Sequence, residues 1–123
     1  METLIFIGCF YNLAFAVFHL FFWKLFRWRE DLRSLSFVNR GVMQILNLCL
    51  AFVFLVFAYV SFFHTAELLT TNIGRTLLAA IALFWLFRAI EQIVFFGWRK
   101  IVSVAFFVFF LFGAAIYFSP FLF

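Results

Sequence analysis

Residues Thr76–Phe96 read TLLAAIALFWLFRAIEQIVFF, an apolar run interrupted near its end by Arg88, Glu91 and Gln92. A helix needs about 20 largely apolar residues to cross the hydrocarbon core of a bilayer. A membrane strand needs only about 10 and alternates apolar with polar side chains. This run is long and does not alternate, so it reads as a membrane-spanning helix, and the fold follows from how often the pattern recurs.

It recurs four times. The spans are expected at about residues 3–26, 40–63, 74–96 and 101–118. The connections RWREDLRSLSFVN, HTAELLTTN and GWRK are short, and short connections make successive helices antiparallel neighbours. The expected fold is all-α: a polytopic membrane protein, an up-down bundle of four transmembrane helices forming one domain over residues 1–123. Composition agrees. The chain is 69% hydrophobic with a mean hydropathy of +1.21 and only 11% charged, against about 25% charged in a soluble domain. A soluble core of this size could not hide that much apolar surface. Twenty-five residues are Phe, which suits a lipid-facing surface. Ser36 or Asn39 is expected to cap the second span, and Asn72 or Thr71 the third. Gly97 is expected to end the third span. The first span lacks a basic leader and a small-residue cleavage site, so it reads as retained and not as a signal peptide.

The net charge of +4 does not point to nucleic acid, because the basic residues flank apolar runs. Lys24, Arg27, Arg29, Arg33, Arg40, Arg99 and Lys100 fall on one side of the membrane, with Arg75 alone near the other. Basic loops stay in the cytoplasm. Loops 27–39 and 97–100 are therefore expected inside and both termini outside, in a bacterial inner membrane. Trp23, Trp28 and Trp98 are placed as interfacial anchors at the basic side, and Tyr59 and Tyr117 near the opposite interface. The segment KLFRWREDLRSL can also lie on the membrane surface as a short amphipathic helix, although ordinary topology-setting charge explains it as well.

At about 1.5 Å per residue, depth along each span can be assigned. His19, Gln44, Asn47, Arg88, Glu91 and Gln92 all lie one to two turns in from the basic side. Each occurs in a stripe of small and polar residues at helical spacing: Gly8, Asn12, Ala16 and His19 on span one, Arg40, Gln44, Asn47 and Ala51 on span two, and Arg88, Glu91 and Gln92 on span three. Such stripes mark helix faces packed against one another in lipid. Span four offers Ser103 near this level and turns Gly113 and Tyr117 inward. These residues form the candidate buried polar cluster. Arg88 at membrane depth costs at least about 2.5 kcal/mol, which a pair with Glu91 three residues on would offset. On that pairing, removing Arg88 alone is more damaging than removing both. The cluster reads equally as a lock for helix packing or as a site for an ion, a solute or a lipid headgroup.

Other chemistry is thinly supported. No nucleophile triad, carboxylate dyad, phosphate loop or redox cysteine motif occurs, so an enzymatic role has nothing to rest on. No metal or cofactor is expected. His19 has no second histidine at its depth for haem, and His64 with Glu67 makes only two potential ligands. Cys9 and Cys49 read as small buried hydrophobes. The functional expectation is a structural or accessory subunit, with lipid as its environment and a homo-oligomer or larger membrane complex as its setting. A small transporter or channel using Arg88 and Glu91 is the alternative.

Two resemblances bear on these readings. NRGVMQILN followed by NIGRTLLAAIALFWLFRAIEQ is similar to small four-span bacterial integral membrane proteins of unassigned function. That likeness implies the fold and the membrane location and no activity. In size the chain also resembles the small multidrug transporters. Those carry an essential Glu in the first span and often a weak charge bias. Here span one holds no carboxylate within it and the bias is strong, so no residue role carries across.

Overall fold

The structure is a computed structural model that describes residues 1–123. Four helices are long and apolar enough to cross a membrane, and there is no strand. They are α1 (Glu2–Leu20), α4 (Phe37–Phe63), α6 (Asn72–Phe96) and α7 (Ile101–Phe118). Short helices fill the connections: α2 (Phe22–Leu25), α3 (Trp28–Asp31) and α5 (Thr65–Thr70), with single 3₁₀ turns at Leu32–Ser34 and Ser119–Phe121. At about 1.5 Å per residue, α4 is about 40 Å long and α7 about 27 Å, so the longer helices project beyond a hydrocarbon core of about 30 Å.

Three of the long-helix ends have a local cause. Ser36 Oγ accepts from the backbone N–H of Asn39 at 3.2 Å and starts α4, while Thr71 Oγ1 accepts from the N–H of Gly74 at 3.0 Å and starts α6. Gly97, at φ +73°, ends α6. The first apolar run does not continue as one helix. It stops at Leu20, resumes as α2, and breaks again at Arg27, which holds a left-handed φ of 53°.

The helices form a closed square, α1–α4–α6–α7, with every neighbour antiparallel. α1 packs closely on α4, and α6 on α7. The α1–α7 side is set by two reciprocal fits, Tyr117 against Gly8 and Tyr11 against Gly113. A Cβ on Gly8 would lie 2.5 Å from the Tyr117 hydroxyl, and one on Gly113 would lie 2.5 Å from the Tyr11 ring. The α4–α6 side is closed by rings, Phe54 and Phe57 meeting Phe84.

Trp85 fills the centre. It is 0% exposed and touches aromatic side chains from all three other spans. Tyr11 meets it edge-on at 4.8 Å, Phe15 lies at 4.9 Å, and Phe54 and Phe110 stack on it at 5.2 and 5.9 Å. Between helices in lipid there is no hydrophobic driving force, so close packing must supply the attraction, and ring contacts of this geometry add to it.

Some side chains sit elsewhere than expected. Cys9 is buried, but Cys49 faces outward from α4: it lies two residues beyond the inward Asn47, which rotates it away from the seam. Tyr117 turns inward as expected and is wholly interior although near the end of its span, because Gly8 leaves room for its ring. Trp28 is buried with Leu32 and Trp23 is partly covered, so of the three tryptophans at the basic end only Trp98 is exposed. Trp28 packs edge-on against Phe22 at 5.4 Å and Trp23 at 5.2 Å. KLFRWREDLRSL forms no continuous amphipathic helix, because Arg27 breaks it; its Trp28 and Leu32 face inward and Arg27, Arg29 and Arg33 outward.

Four variants test this packing. Gly8→Ala should lower stability by about 1–3 kcal/mol through overpacking, read as thermal unfolding in detergent. Gly41→Ala, whose added Cβ meets nothing within 4 Å, should be neutral or stabilising. Trp85→Ala should cost about 3–5 kcal/mol, as large buried aromatics do, and Trp85→Phe distinctly less.

Candidate functional site

The break after Leu20 explains the first polar group. A helix end leaves carbonyls without intrahelical partners, and Asn47 of α4 reaches one of them. Asn47 Nδ2 donates to the His19 backbone carbonyl at 2.9 Å, and Asn47 Oδ1 lies 2.7 Å from His19 Nδ1. With the amide nitrogen committed to a carbonyl, Oδ1 must accept, so His19 carries its proton on Nδ1. Phe22 stacks on the imidazole at 4.3 Å. One turn further out, Trp23 Nε1 donates to Gln44 Oε1 at 2.9 Å, and Gln44 Nε2 donates to the Arg40 carbonyl at 3.0 Å. Arg40 then turns back on the connection, donating to the carbonyls of Leu32 at 3.1 Å and Leu35 at 3.2 Å. Arg40 therefore works as a clamp on the loop as well as a basic flank.

The second group lies on α6 and α7. Arg88 Nη2 donates to Gln92 Oε1 at 3.1 Å, Gln92 Nε2 donates to Ser103 Oγ at 3.2 Å, and Ser103 Oγ donates to the Gly97 carbonyl. The guanidinium lies 4.5 Å from the centroid of the Phe110 ring, a cation–π contact that helps hold a charge at this depth. Ser103 thus joins α7 to the turn that Gly97 makes.

The six candidate residues form no single hydrogen-bonded cluster. His19, Gln44 and Asn47 bond within the α1–α4 pair, and Arg88 and Gln92 within the α6–α7 pair. The expected Arg88–Glu91 pair does not form. The ion pair present is Arg27–Glu30 at 2.7 Å, and the other acid–base contact is His64 Nδ1 to Glu67 Oε2 at 3.5 Å, a pair of charges only when the imidazole is protonated; both are exposed. Gln92 takes the guanidinium because it lies on the buried face with Ala89, whereas Glu91 falls on the exposed face with Ile90, Val94 and Phe95. Glu91 and Arg88 instead line an open recess of ≈ 530 Å³ with Phe95 and Phe96. Of the basic flanks, Lys24, Arg27, Arg29, Arg33, Arg99 and Lys100 are exposed.

A third polar group, at the other end of the bundle, escaped sequence reasoning. Asn12 Nδ2 donates to the Gly8 carbonyl at 2.9 Å and to Tyr117 Oη at 2.8 Å, and Tyr117 Oη shares a 2.7 Å hydrogen bond with Ser61 Oγ. All three residues are 0% exposed. Tyr11 Oη donates to the Phe109 carbonyl at 2.8 Å. The usable signal was Gly8 four residues before Asn12 and Gly113 four before Tyr117. Ser61 carried none. Asn12 Oδ1 and Trp85 Nε1 are the buried side-chain polar atoms without a partner.

No protein family, curated protein or solved structure matches this chain.

Asn47→Leu should cost about 0.6–1.7 kcal/mol, the range for interhelical hydrogen bonds in membranes, read as detergent thermal unfolding. Arg88→Leu and Glu91→Gln should show only a weak coupling, below about 0.5 kcal/mol as for exposed pairs at this helical spacing, because the two charges border one patch without direct contact. A double variant clearly milder than Arg88→Leu alone would instead indicate the ion pair.

Proposed function

We propose that this chain is a small structural or accessory subunit of a membrane assembly, folded as one four-helix domain whose buried polar bonds fix helix order and rotation. The observation that carries this reading is where those bonds go. At both ends of the bundle the interior polar side chains bond to one another or to backbone carbonyls, and Trp85 with its ring partners fills the space between. A polar group bonded inside the bundle locks packing. The protein partner is a second copy or a larger membrane complex, and the surrounding partner is the bilayer. The exposed apolar surface supports this, since Phe, Leu, Ile and Val side chains cover all four spans.

The bacterial inner membrane is the proposed location, with loops 27–39 and 97–100 cytoplasmic and both termini outside. The antiparallel square supports this orientation, because it brings Lys24, Arg27, Arg29, Arg33, Arg40, Arg99 and Lys100 to one end, where the positive-inside tendency applies.

One observation favours the alternative of a transport site: a cation and a carboxylate, Arg88 and Glu91, line the same recess. That recess lies on the outer surface of α6, and the Phe110 ring stands behind Arg88. A solute path through the bundle would have to displace the aromatic centre.

Native mass measurement of the detergent-solubilised protein should find a defined oligomer or a co-purifying membrane subunit. A lone monomer would count against the subunit reading, and solute flux in proteoliposomes abolished by Glu91→Gln would favour the alternative. A cysteine placed at Ser34 should be labelled only from the cytoplasmic side, with Cys9 and Cys49 replaced by Ala to remove background.

A further inference from the structure

Arg88 and Glu91 have unspent chemistry. The guanidinium has five donors, and its one side-chain hydrogen bond is the Nη2 contact to Gln92. It is only partly buried and borders the recess lined by Glu91, Phe95 and Phe96. The Glu91 carboxylate is exposed on that recess and has no ion partner within the chain. One open, shallow patch on the outer surface of α6 therefore carries an incompletely used cation and an anion without a contact partner.

The order of the two charges narrows what fits. Arg88 lies three residues deeper than Glu91 from the Phe96 end of α6, about 4.5 Å along the axis at the helical rise. An Arg below the interface draws polar groups and phosphate inward, and its planar fork matches phosphate oxygens. In a glycerophospholipid the phosphate sits on the glycerol side, nearer the acyl chains, and any amine lies beyond it. A ligand with an anion inward and a cation outward matches Arg88 inward and Glu91 outward.

We propose that this recess binds a zwitterionic phospholipid with a primary-amine headgroup. The phosphate oxygens accept from the Arg88 guanidinium, the ammonium donates to the Glu91 carboxylate, and the acyl chains run inward from Arg88 past the exposed Phe87 ring. A primary ammonium carries three N–H donors, whereas a trimethylammonium has none to give the carboxylate. A glycerol headgroup supplies no cation, and the anionic lipid that bears it meets repulsion from Glu91. The site thus selects on the amine. This proposal stands whether or not the chain serves as a subunit of a larger complex.

The test is thermal unfolding of the purified, delipidated protein in detergent, titrated with lipids of identical acyl chains. A ligand that binds the folded state alone raises the unfolding temperature in proportion to its affinity. Phosphatidylethanolamine should bind about tenfold more tightly than phosphatidylcholine or phosphatidylglycerol, the equivalent of one charge-assisted hydrogen bond, and diacylglycerol should give no shift. Glu91→Gln, on an exposed face, should fold as the parent does and lose the preference for phosphatidylethanolamine while retaining phosphatidylglycerol. Equal shifts from the three phospholipids, a shift from diacylglycerol as large as that from phosphatidylethanolamine, or an unchanged preference in Glu91→Gln would overturn the proposal.

Discussion

The bundle depends on Trp85. Lipid surrounds these helices with material as apolar as their own side chains, so water does not drive them together. Their association relies on shape. Trp85 supplies a large rigid plate at the centre of the square, with Tyr11 and Phe15 of α1, Phe54 of α4 and Phe110 of α7 set around it. The partners come from all three other spans, so one side chain ties the four together. Its indole N–H has no acceptor, a cost of burial offset by contacts over both ring faces and the edge.

On either side of that apolar plate the polar groups solve a different problem. With no water in the hydrocarbon core, every backbone or side-chain polar group there needs a protein partner. At the basic end, Asn47 takes the carbonyl exposed where α1 stops, and Ser103 bonds the carbonyl of Gly97 where α6 stops. At the other end, Asn12, Tyr117 and Ser61 bind α1, α7 and α4 together. Both ends use short hydrogen bonds between different helices, which set rotation as well as proximity. Asn12 Oδ1 and Trp85 Nε1 stay inside without a partner, while Glu91 is an acid left on the outside of the bundle, and that position makes it chemically available.

Particular residues show where reading the sequence succeeded and where it stopped. Long apolar runs located the spans, because crossing a bilayer requires length and hydropathy that no other pattern supplies. Ser36, Thr71 and Gly97 were legible as helix ends because capping is local chemistry. Helical rise assigns His19, Gln44, Asn47, Arg88, Glu91 and Gln92 to one level by counting alone. Rotation was not legible. Glu91 and Gln92 are adjacent in sequence, yet about 100° of helical turn puts one outside and one inside. Nothing in the order of residues decides which of them Arg88 meets.

By itself, the sequence determined four apolar helices, short connections, the basic and non-basic ends, and the depth of each polar side chain, since all of these are one-dimensional properties of composition and helical rise. Tertiary structure alone decided which faces meet: Tyr117 on Gly8, Tyr11 on Gly113, His19 with Asn47, Arg88 with Gln92 in place of Glu91, and Trp85 at the hub. The reason is physical. In lipid nearly every face of an apolar helix is tolerable to its surroundings, so hydropathy cannot choose the rotation. The choice falls to ring-into-glycine fits and paired hydrogen bonds between residues 28 to 105 positions apart.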